Sequence, residues 1–134
     1  MKDVAKILLS DDDFNMLVLT RGDTHPLFAG HPDLSGGEVE EGEDAKTAVI
    51  REVDEETGLA VSPDTVKLVY QRNSDNRQHL VYRGNVNGTK PTPTISWEHS
   101  GYTWMTTEQL LSKKIPEGAD PYYLSMLEYL RSEG

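Results

Sequence analysis

The chain contains no cysteine, and this absence excludes several kinds of cross-link and site at once. Without thiols there is no disulfide framework, no thiolate metal site and no cysteine nucleophile. Long hydrophobic runs are also missing, because the first apolar run, Val4 to Leu9, is interrupted by Lys6 and no later run approaches the length that crosses a bilayer. We therefore expect an unprocessed cytoplasmic protein with no membrane partner.

Basic residues are scarce relative to acidic ones: 13 lysines and arginines stand against 23 aspartates and glutamates, for a formal net charge of −10. Nucleic acid polymers and anionic membranes are bound through basic patches, so neither is an expected partner. The acidity is concentrated, because nine acidic residues lie between Glu38 and Glu56 against only Lys46 and Arg51. Such a segment either binds cations or forms a solvated surface, and the spacing of its residues distinguishes these two alternatives.

A chain of 134 residues has the length of one ordinary domain, and we expect residues 1–134 to form a single domain. Residues 20–43 are rich in glycine, proline and aspartate and predict a long, mostly irregular loop. Apolar runs with β-branched or aromatic residues predict strands at residues 4–9, 14–19, 66–71 and 77–86, and within 94–105.

Three segments predict helices, and the first carries most of the acidic residues. Asp44 is a suitable N-cap, and Gly58 stands where a helix ends in the left-handed conformation. At helical spacing the apolar residues of this segment cluster on one side and three carboxylates share the neighbouring side: Val49, Ile50 and Val53, and Glu52, Glu55 and Glu56. Two more helices are predicted, a brief one at 106–114 and an amphipathic one at 120–134 with Tyr123, Leu124, Leu127 and Leu130 near helical spacing. The order of elements predicts an α/β fold with a mixed sheet.

The strongest signal is a spaced series of residues around the first helix. The series begins at Gly37, and five residues separate it from Glu43. Seven residues separate Glu43 from Arg51, which is followed directly by Glu52 and the apolar Val53. One residue lies between Val53 and the pair Glu55 and Glu56, and one more lies between Glu56 and Gly58, which the apolar Leu59 follows. This series resembles the box of the Nudix hydrolase family at every defined position, and a chance match is on the order of one in ten million. The resemblance implies a small, single-domain, MutT-like member with an α/β/α sandwich. Ser35 departs from the family, which commonly has proline there, and this affects loop geometry rather than chemistry.

The resemblance implies a divalent metal site, and the spacing of the carboxylates agrees with it. Side chains at positions i, i+3 and i+4 of a helix face one place, and magnesium takes oxygen ligands. Mg²⁺ is the expected cofactor, with Mn²⁺ as a substitute. The implied ligands are the Gly36 carbonyl and the carboxylates of Glu52, Glu55 and Glu56. A plain turn at Gly36 is the alternative.

Further roles are also implied by the resemblance. The catalytic residues are Glu52, Glu55 and Glu98, with Glu52 the first candidate for general base and Glu98 the second. Arg21 stands where related sequences place a phosphate-contacting arginine, although an exposed arginine at a strand end is the alternative. Four residues of the box have structural roles: Gly37, Glu43, Arg51 and Gly58. Of these, Arg51 is the expected partner of Glu43 or of Glu55.

The implied activity is metal-dependent hydrolysis of a phosphoanhydride in a nucleoside diphosphate linked to another group. A nucleoside triphosphate pyrophosphohydrolase that releases nucleoside monophosphate and pyrophosphate is favoured by the small size of the chain. ADP-ribose, nucleotide sugars and dinucleoside polyphosphates remain alternative substrates. A catalytically silent nucleotide-binding regulatory module is the alternative from another class. The expected partner is a small nucleotide, and the expected assembly is a monomer or a homodimer.

Overall fold

The computed structural model describes residues 2–23, 28–74 and 76–133. Its strands, in chain order, are β1 (Val4–Ser10), β2 (Met16–Arg21), β3 (Pro32–Asp33), β4 (Ser35–Glu38), β5 (Lys67–Ser74), β6 (Arg77–Asn85) and β7 (His99–Met105). Its α-helices are α1 (Ala45–Thr57), α2 (Thr107–Ser112) and α3 (Pro121–Glu133), and a single 3₁₀ turn spans Pro63–Thr65.

The strands form one mixed sheet with β1 near its centre. Strand β1 runs parallel to β6 and antiparallel to β2 and β4, and the hairpin of β5 and β6 extends the sheet on one side. Strand β7 pairs antiparallel with β2 on the other side. The predicted α/β fold with a mixed sheet is therefore confirmed.

Both faces of the sheet are covered by helices, which explains the continuous burial of β1. Alternate residues of this strand pack with Val49 and Val53 of α1 on one face, where Ile7 lies at the centre. On the other face Leu8 packs with Tyr123 and other residues of α2 and α3. The two cores make the chain a three-layer sandwich, as the sequence predicted.

Helix α1 begins and ends at the residues that local sequence signals predict. The Asp44 side chain accepts a hydrogen bond of 2.7 Å from the backbone N–H of Thr47, which caps the helix. Gly58 has a φ of 70° and donates its backbone N–H to the Asp54 carbonyl at 2.9 Å. These two ends fix which turn of the helix each glutamate of the box occupies.

The structure adds detail to two expectations from the sequence. The predicted loop at 20–43 contains the short strands β3 and β4, because pairing with β2 and β1 orders a segment that has no apolar alternation of its own; residues 24–27 of that loop lie outside the described part of the chain. In α3, Leu124 is 41% exposed, and Met126 takes the buried place. No helix within residues 2–23, 28–74 and 76–133 is long and apolar enough to cross a membrane.

Candidate active site

A cavity of about 430 Å³ lies where β1, β2, β4, α1 and the turn before β7 meet. Its lining is mainly polar and charged: Val4, Lys6, Arg21, Gly36, Gly37, Glu38, Glu40, Glu52 and Glu98. A cavity of about 460 Å³ beside Tyr129 shows that volume alone does not identify a site. The presence of box residues distinguishes the cavity at Glu52.

Gly36 and Gly37, at the start of the box, allow β4 to approach both β1 and α1 closely. Gly36 has a φ of 143°, and a Cβ added to it would lie 2.2 Å from the backbone oxygen of Ala5. A Cβ on Gly37 would lie 3.1 Å from a carboxylate oxygen of Glu52. Any side chain at Gly36 would therefore push β4 away from its neighbours.

Glu56 lies behind the Gly36 loop and is only 3% exposed. One carboxylate oxygen, Oε1, accepts hydrogen bonds of 2.8 Å from both the Ser35 hydroxyl and the Gly36 backbone N–H. Burial raises the pKa of Glu56 to about 7, although Lys6 and these two donors oppose the rise. The carboxylate therefore connects α1 to the start of β4.

Glu52 lines the cavity itself and is half-buried. Burial raises the pKa of its carboxyl group above the ordinary value, and the negative charges of Glu55 and Glu98 add to the rise. The neighbouring guanidinium of Arg51 acts in the opposite direction. The ionised form of Glu52 is thus held among like charges that a bound cation would offset.

Arg51 connects three glutamates of the box. Its Nε donates to Glu43 Oε2 at 2.8 Å, and a second nitrogen donates to Glu43 Oε1 at 3.1 Å. The remaining terminal nitrogen lies 3.2 Å from oxygens of Glu52 and of Glu55. The sequence left Glu43 and Glu55 as alternative partners of Arg51, and the guanidinium contacts both. Glu55 is otherwise open to solvent, with a side chain 55% exposed.

The structure thus brings Gly36, Glu52 and Glu98 to the cavity, places Glu56 behind it, and holds Glu55 against Arg51. Within the described residues, no group of three acidic, histidine or cysteine side chains converges closely enough to hold a metal ion. The predicted ligand set therefore stays a prediction. The donors present nevertheless fit a hard divalent cation, because they are oxygens and the repulsion between Glu52 and Glu98 would fall when a cation binds.

A buried ion-pair network, which the sequence did not predict, lies at the floor of the cavity. Asp33 accepts hydrogen bonds from Arg21 at 2.8 Å and 3.3 Å and from Lys6 at 3.3 Å. His99 Nε2 lies 3.0 Å from Asp33 Oδ2. Burial opposes ionisation, but Lys6, His99 and Arg21 outweigh it and hold the pKa of Asp33 far below its ordinary value. Arg21 also donates to Asp120 at 3.0 Å, which links the network to the start of α3.

Arg21 is not the exposed arginine that the sequence left as an alternative, because it is buried and ion-paired. The pairing of β2 with β7 shifts register between Thr20 and Arg21, and a bulge of this kind re-aims a side chain. Arg21 also lines the cavity, so its predicted phosphate contact stays a prediction. The one sequence signal for the network was Lys6, a charge within a buried strand that requires a partner.

Glu98 lies on a tight turn and lines the cavity. The backbone N–H of His99 donates to the Ser96 carbonyl at 3.2 Å, and the Glu98 carbonyl accepts from the Gly22 N–H at 2.8 Å. The turn therefore brings a carboxylate from a distant part of the chain into the same cavity as Glu52. Its predicted role as base or ligand stays a prediction.

Comparisons with known proteins agree with this geometry. A protein of Bacillus subtilis (strain 168), provisionally named 8-oxo-dGTP diphosphatase, is 31% identical over 113 residues, which cover 84% of this chain and 71% of the relative. The structure of a MutT protein from Methanosarcina mazei Go1 matches with a TM-score of 0.72 at 24% identity, over 98% of this chain and 94% of that one. A C. elegans Ap4A hydrolase matches with a TM-score of 0.68 at 22% identity, over 98% and 95% of the two chains. Both structural matches show the fold.

The NUDIX domain family matches residues 2–126, which include every element from β1 to the first part of α3. Enzymes of this family use divalent metal ions and act on small nucleotide substrates. The match, the relatives and the box residues around one polar cavity lead to the same conclusion: the chain belongs to the Nudix hydrolase family and is a pyrophosphohydrolase.

Proposed function

We propose that residues 1–134 form one catalytic domain that hydrolyses nucleoside triphosphates to nucleoside monophosphate and pyrophosphate with Mg²⁺. The observation that carries the proposal is the position of Glu52, half-buried beside Gly37 in a cavity that also contains the cations Lys6 and Arg21. A carboxylate of this kind suits metal and proton chemistry, and the two cations suit phosphate oxygens. The provisional name of the Bacillus subtilis relative supports a nucleoside triphosphate as substrate.

Four groups of this chain would hold the ion: the Gly36 carbonyl and the carboxylates of Glu52, Glu55 and Glu56. When bound, a divalent ion neutralises the charge that develops on the pyrophosphate oxygens. Arg51 positions this set, because its guanidinium bonds to Glu52 and Glu55 while Glu43 holds it from the other side. Gly37 leaves the space in which the Glu52 carboxylate lies beside the loop.

Glu52 is the proposed general base and takes the proton of the attacking water. Burial and the like charges around it raise its pKa above the ordinary value, and its place in the cavity puts the carboxylate within reach of a bound water. Glu98 faces the same cavity and is the second candidate. Lys6 and Arg21 orient the phosphates from the floor of the cavity, where Asp33 fixes both cations.

The test is a panel of nucleotides incubated with purified protein and Mg²⁺, with phosphate and pyrophosphate release followed separately. The panel contains nucleoside triphosphates, 8-oxo-dGTP, ADP-ribose, a nucleotide sugar and a dinucleoside polyphosphate. We expect pyrophosphate and nucleoside monophosphate from a triphosphate. Glu52→Gln should lower the rate by about 10²-fold or more, whereas Asp54→Asn, the same change at an exposed position of α1, should not.

Three outcomes would contradict the proposal. If ADP-ribose, a nucleotide sugar or a dinucleoside polyphosphate is turned over faster than any nucleoside triphosphate, the substrate belongs to that class instead. Nucleotide binding without turnover in either Mg²⁺ or Mn²⁺ would favour a catalytically silent binding module. Equal losses of turnover in Glu52→Gln and Asp54→Asn would show that Glu52 has no specific role in the reaction.

A further inference from the structure

The turn before β7 carries two very different side chains at the edge of the active-site cavity. The hydrogen bond from the His99 N–H to the Ser96 carbonyl makes Trp97 and Glu98 the two central residues of this turn. Glu98 lines the cavity, whereas the indole of Trp97 is 79% exposed. No other large apolar residue in the described part of the chain is as exposed.

The turn is fixed on both sides, so the position of Trp97 is well defined. The Gly22 N–H donates to the Glu98 carbonyl at 2.8 Å, and a Cβ on Gly22 would lie only 3.3 Å from the Trp97 carbonyl. Just before the turn, the Ser96 N–H donates to the Glu56 carbonyl at 3.1 Å, which attaches the segment to the end of α1. The indole is thus held in solvent on a turn that is bonded to the helix of the box.

Folding stability gives no reason for this exposed indole. Apolar surface stabilises a fold only when it leaves water, and most of the Trp97 surface does not. Trp104 behaves in the ordinary way: it packs against the core beside α1, and its indole N–H donates to the Pro91 carbonyl at 3.2 Å. Trp97, by contrast, adjoins the cavity residue Glu98 in the chain and is 79% exposed.

The described lining of the cavity offers a nucleotide mainly charged and polar groups. Its described lining includes Lys6, Arg21, Glu52 and Glu98 and contains no aromatic ring. Phosphates and a cation therefore match the interior, and the flat, largely apolar base needs a surface at the rim. Trp97 is the chain neighbour of the cavity residue Glu98, and its exposed indole is the candidate for such a surface.

We propose that Trp97 is a specificity-determining residue whose indole stacks on the base of a nucleotide while the phosphates occupy the cavity between Glu52 and Glu98. This inference rests on the proposed function, because it takes a nucleotide as the substrate. Stacking on an aromatic ring accepts any base, since every base has a π-face, so Trp97 selects nucleotides over phosphate compounds without a base.

The test compares dGTP with inorganic tripolyphosphate, which has phosphoanhydride bonds but no base. Trp97→Ala should raise the KM for dGTP about tenfold, equal to about 1.4 kcal/mol, with kcat changed less than threefold. The inhibition constant of tripolyphosphate should stay the same. Trp97→Phe should restore most of the affinity. Phe14→Ala, which removes a 71% exposed aromatic side chain at the β1–β2 turn, is the matched control and should change neither constant.

A binding measurement separates this inference from the proposed function. dGTP should quench the tryptophan fluorescence of the wild type, and Trp97→Phe, which keeps Trp104, should lose this quenching. Quenching without turnover of any nucleotide would refute the proposed hydrolysis and leave the stacking role standing. Normal turnover with no quenching, an unchanged KM in Trp97→Ala, or an equal loss for dGTP and tripolyphosphate would overturn the role of Trp97.

Discussion

Replacing Gly36 by alanine tests the close approach of β4 to β1 on which the site depends. The added methyl would lie 2.2 Å from the Ala5 oxygen and 2.7 Å from the Lys6 Cα, both backbone atoms that cannot rotate away. Overpacking of this kind costs about 1–3 kcal/mol, and a side chain at a positive φ costs about 1–2 kcal/mol more. The free energy of unfolding should therefore fall by about 2–5 kcal/mol, and Tm by roughly 6–25 °C in a domain of this size.

Gly42→Ala is the matched control, because Gly42 also has a positive φ, 80°, but a Cβ there would meet nothing within 4 Å. This variant should lose only the backbone contribution, about 1–2 kcal/mol. Urea and thermal unfolding of both variants in chelator measure the difference, which isolates the contact between β4 and β1. Equal losses in the two variants would show that β4 does not lie against β1 as described.

Three further predictions concern charge. Glu52→Gln should lower turnover more than Glu98→Gln, measured as kcat in Mg²⁺; the reverse order would make Glu98 the base. Millimolar Mg²⁺ should raise Tm in the wild type, and joint replacement of Glu55 and Glu56 by glutamine should abolish the rise; a full rise in that variant would place the ion elsewhere. The lowered pKa of Asp33 stabilises the fold above the ordinary aspartate pKa of about 4, so the free energy of unfolding should fall as the pH drops below that value. Asp33→Asn should be less stable at neutral pH and should show a weaker pH dependence; an unchanged pH dependence would exclude the ion pairs.

The parts of the fold that the sequence predicted are those with local signals. Helix α1 begins after Asp44, whose side chain caps its first turn, and ends at Gly58, whose backbone adopts the left-handed conformation. The β5–β6 hairpin follows from two apolar runs that lie close together in the chain. Strands β3 and β4 were missed because their order depends on pairing with β2 and β1, which no pattern within residues 20–43 reveals.

The network at the floor of the cavity was missed for the same physical reason. Arg21 and Asp33 are 12 residues apart, and Arg21 and Asp120 are 99 residues apart, so only the folded chain brings them together. A motif defines spacing along one helix and its loop, and it contains no information about partners on β2 or α3. The charge of Lys6 could have indicated that a buried partner exists, but not that the partner is Asp33.

The box glutamates show where helical spacing stops being informative. Spacing places Glu55 and Glu56 on the same side of α1, yet one side chain is 55% exposed and the other residue is 3% exposed. The difference comes from β4, which covers Glu56 and supplies two donors to its carboxylate, the Ser35 hydroxyl and the Gly36 N–H.

Ser35 is also the residue at which this chain departs from the family pattern, and the structure gives the departure a physical meaning. A proline in its place would have no hydroxyl to donate to Glu56, so the buried carboxylate would keep only the Gly36 N–H of these two donors. The Ser35 hydrogen bond favours the ionised form of Glu56 and limits the rise in its pKa that burial causes. Ser35, which we expected to affect only loop geometry, therefore also favours the ionised form of Glu56.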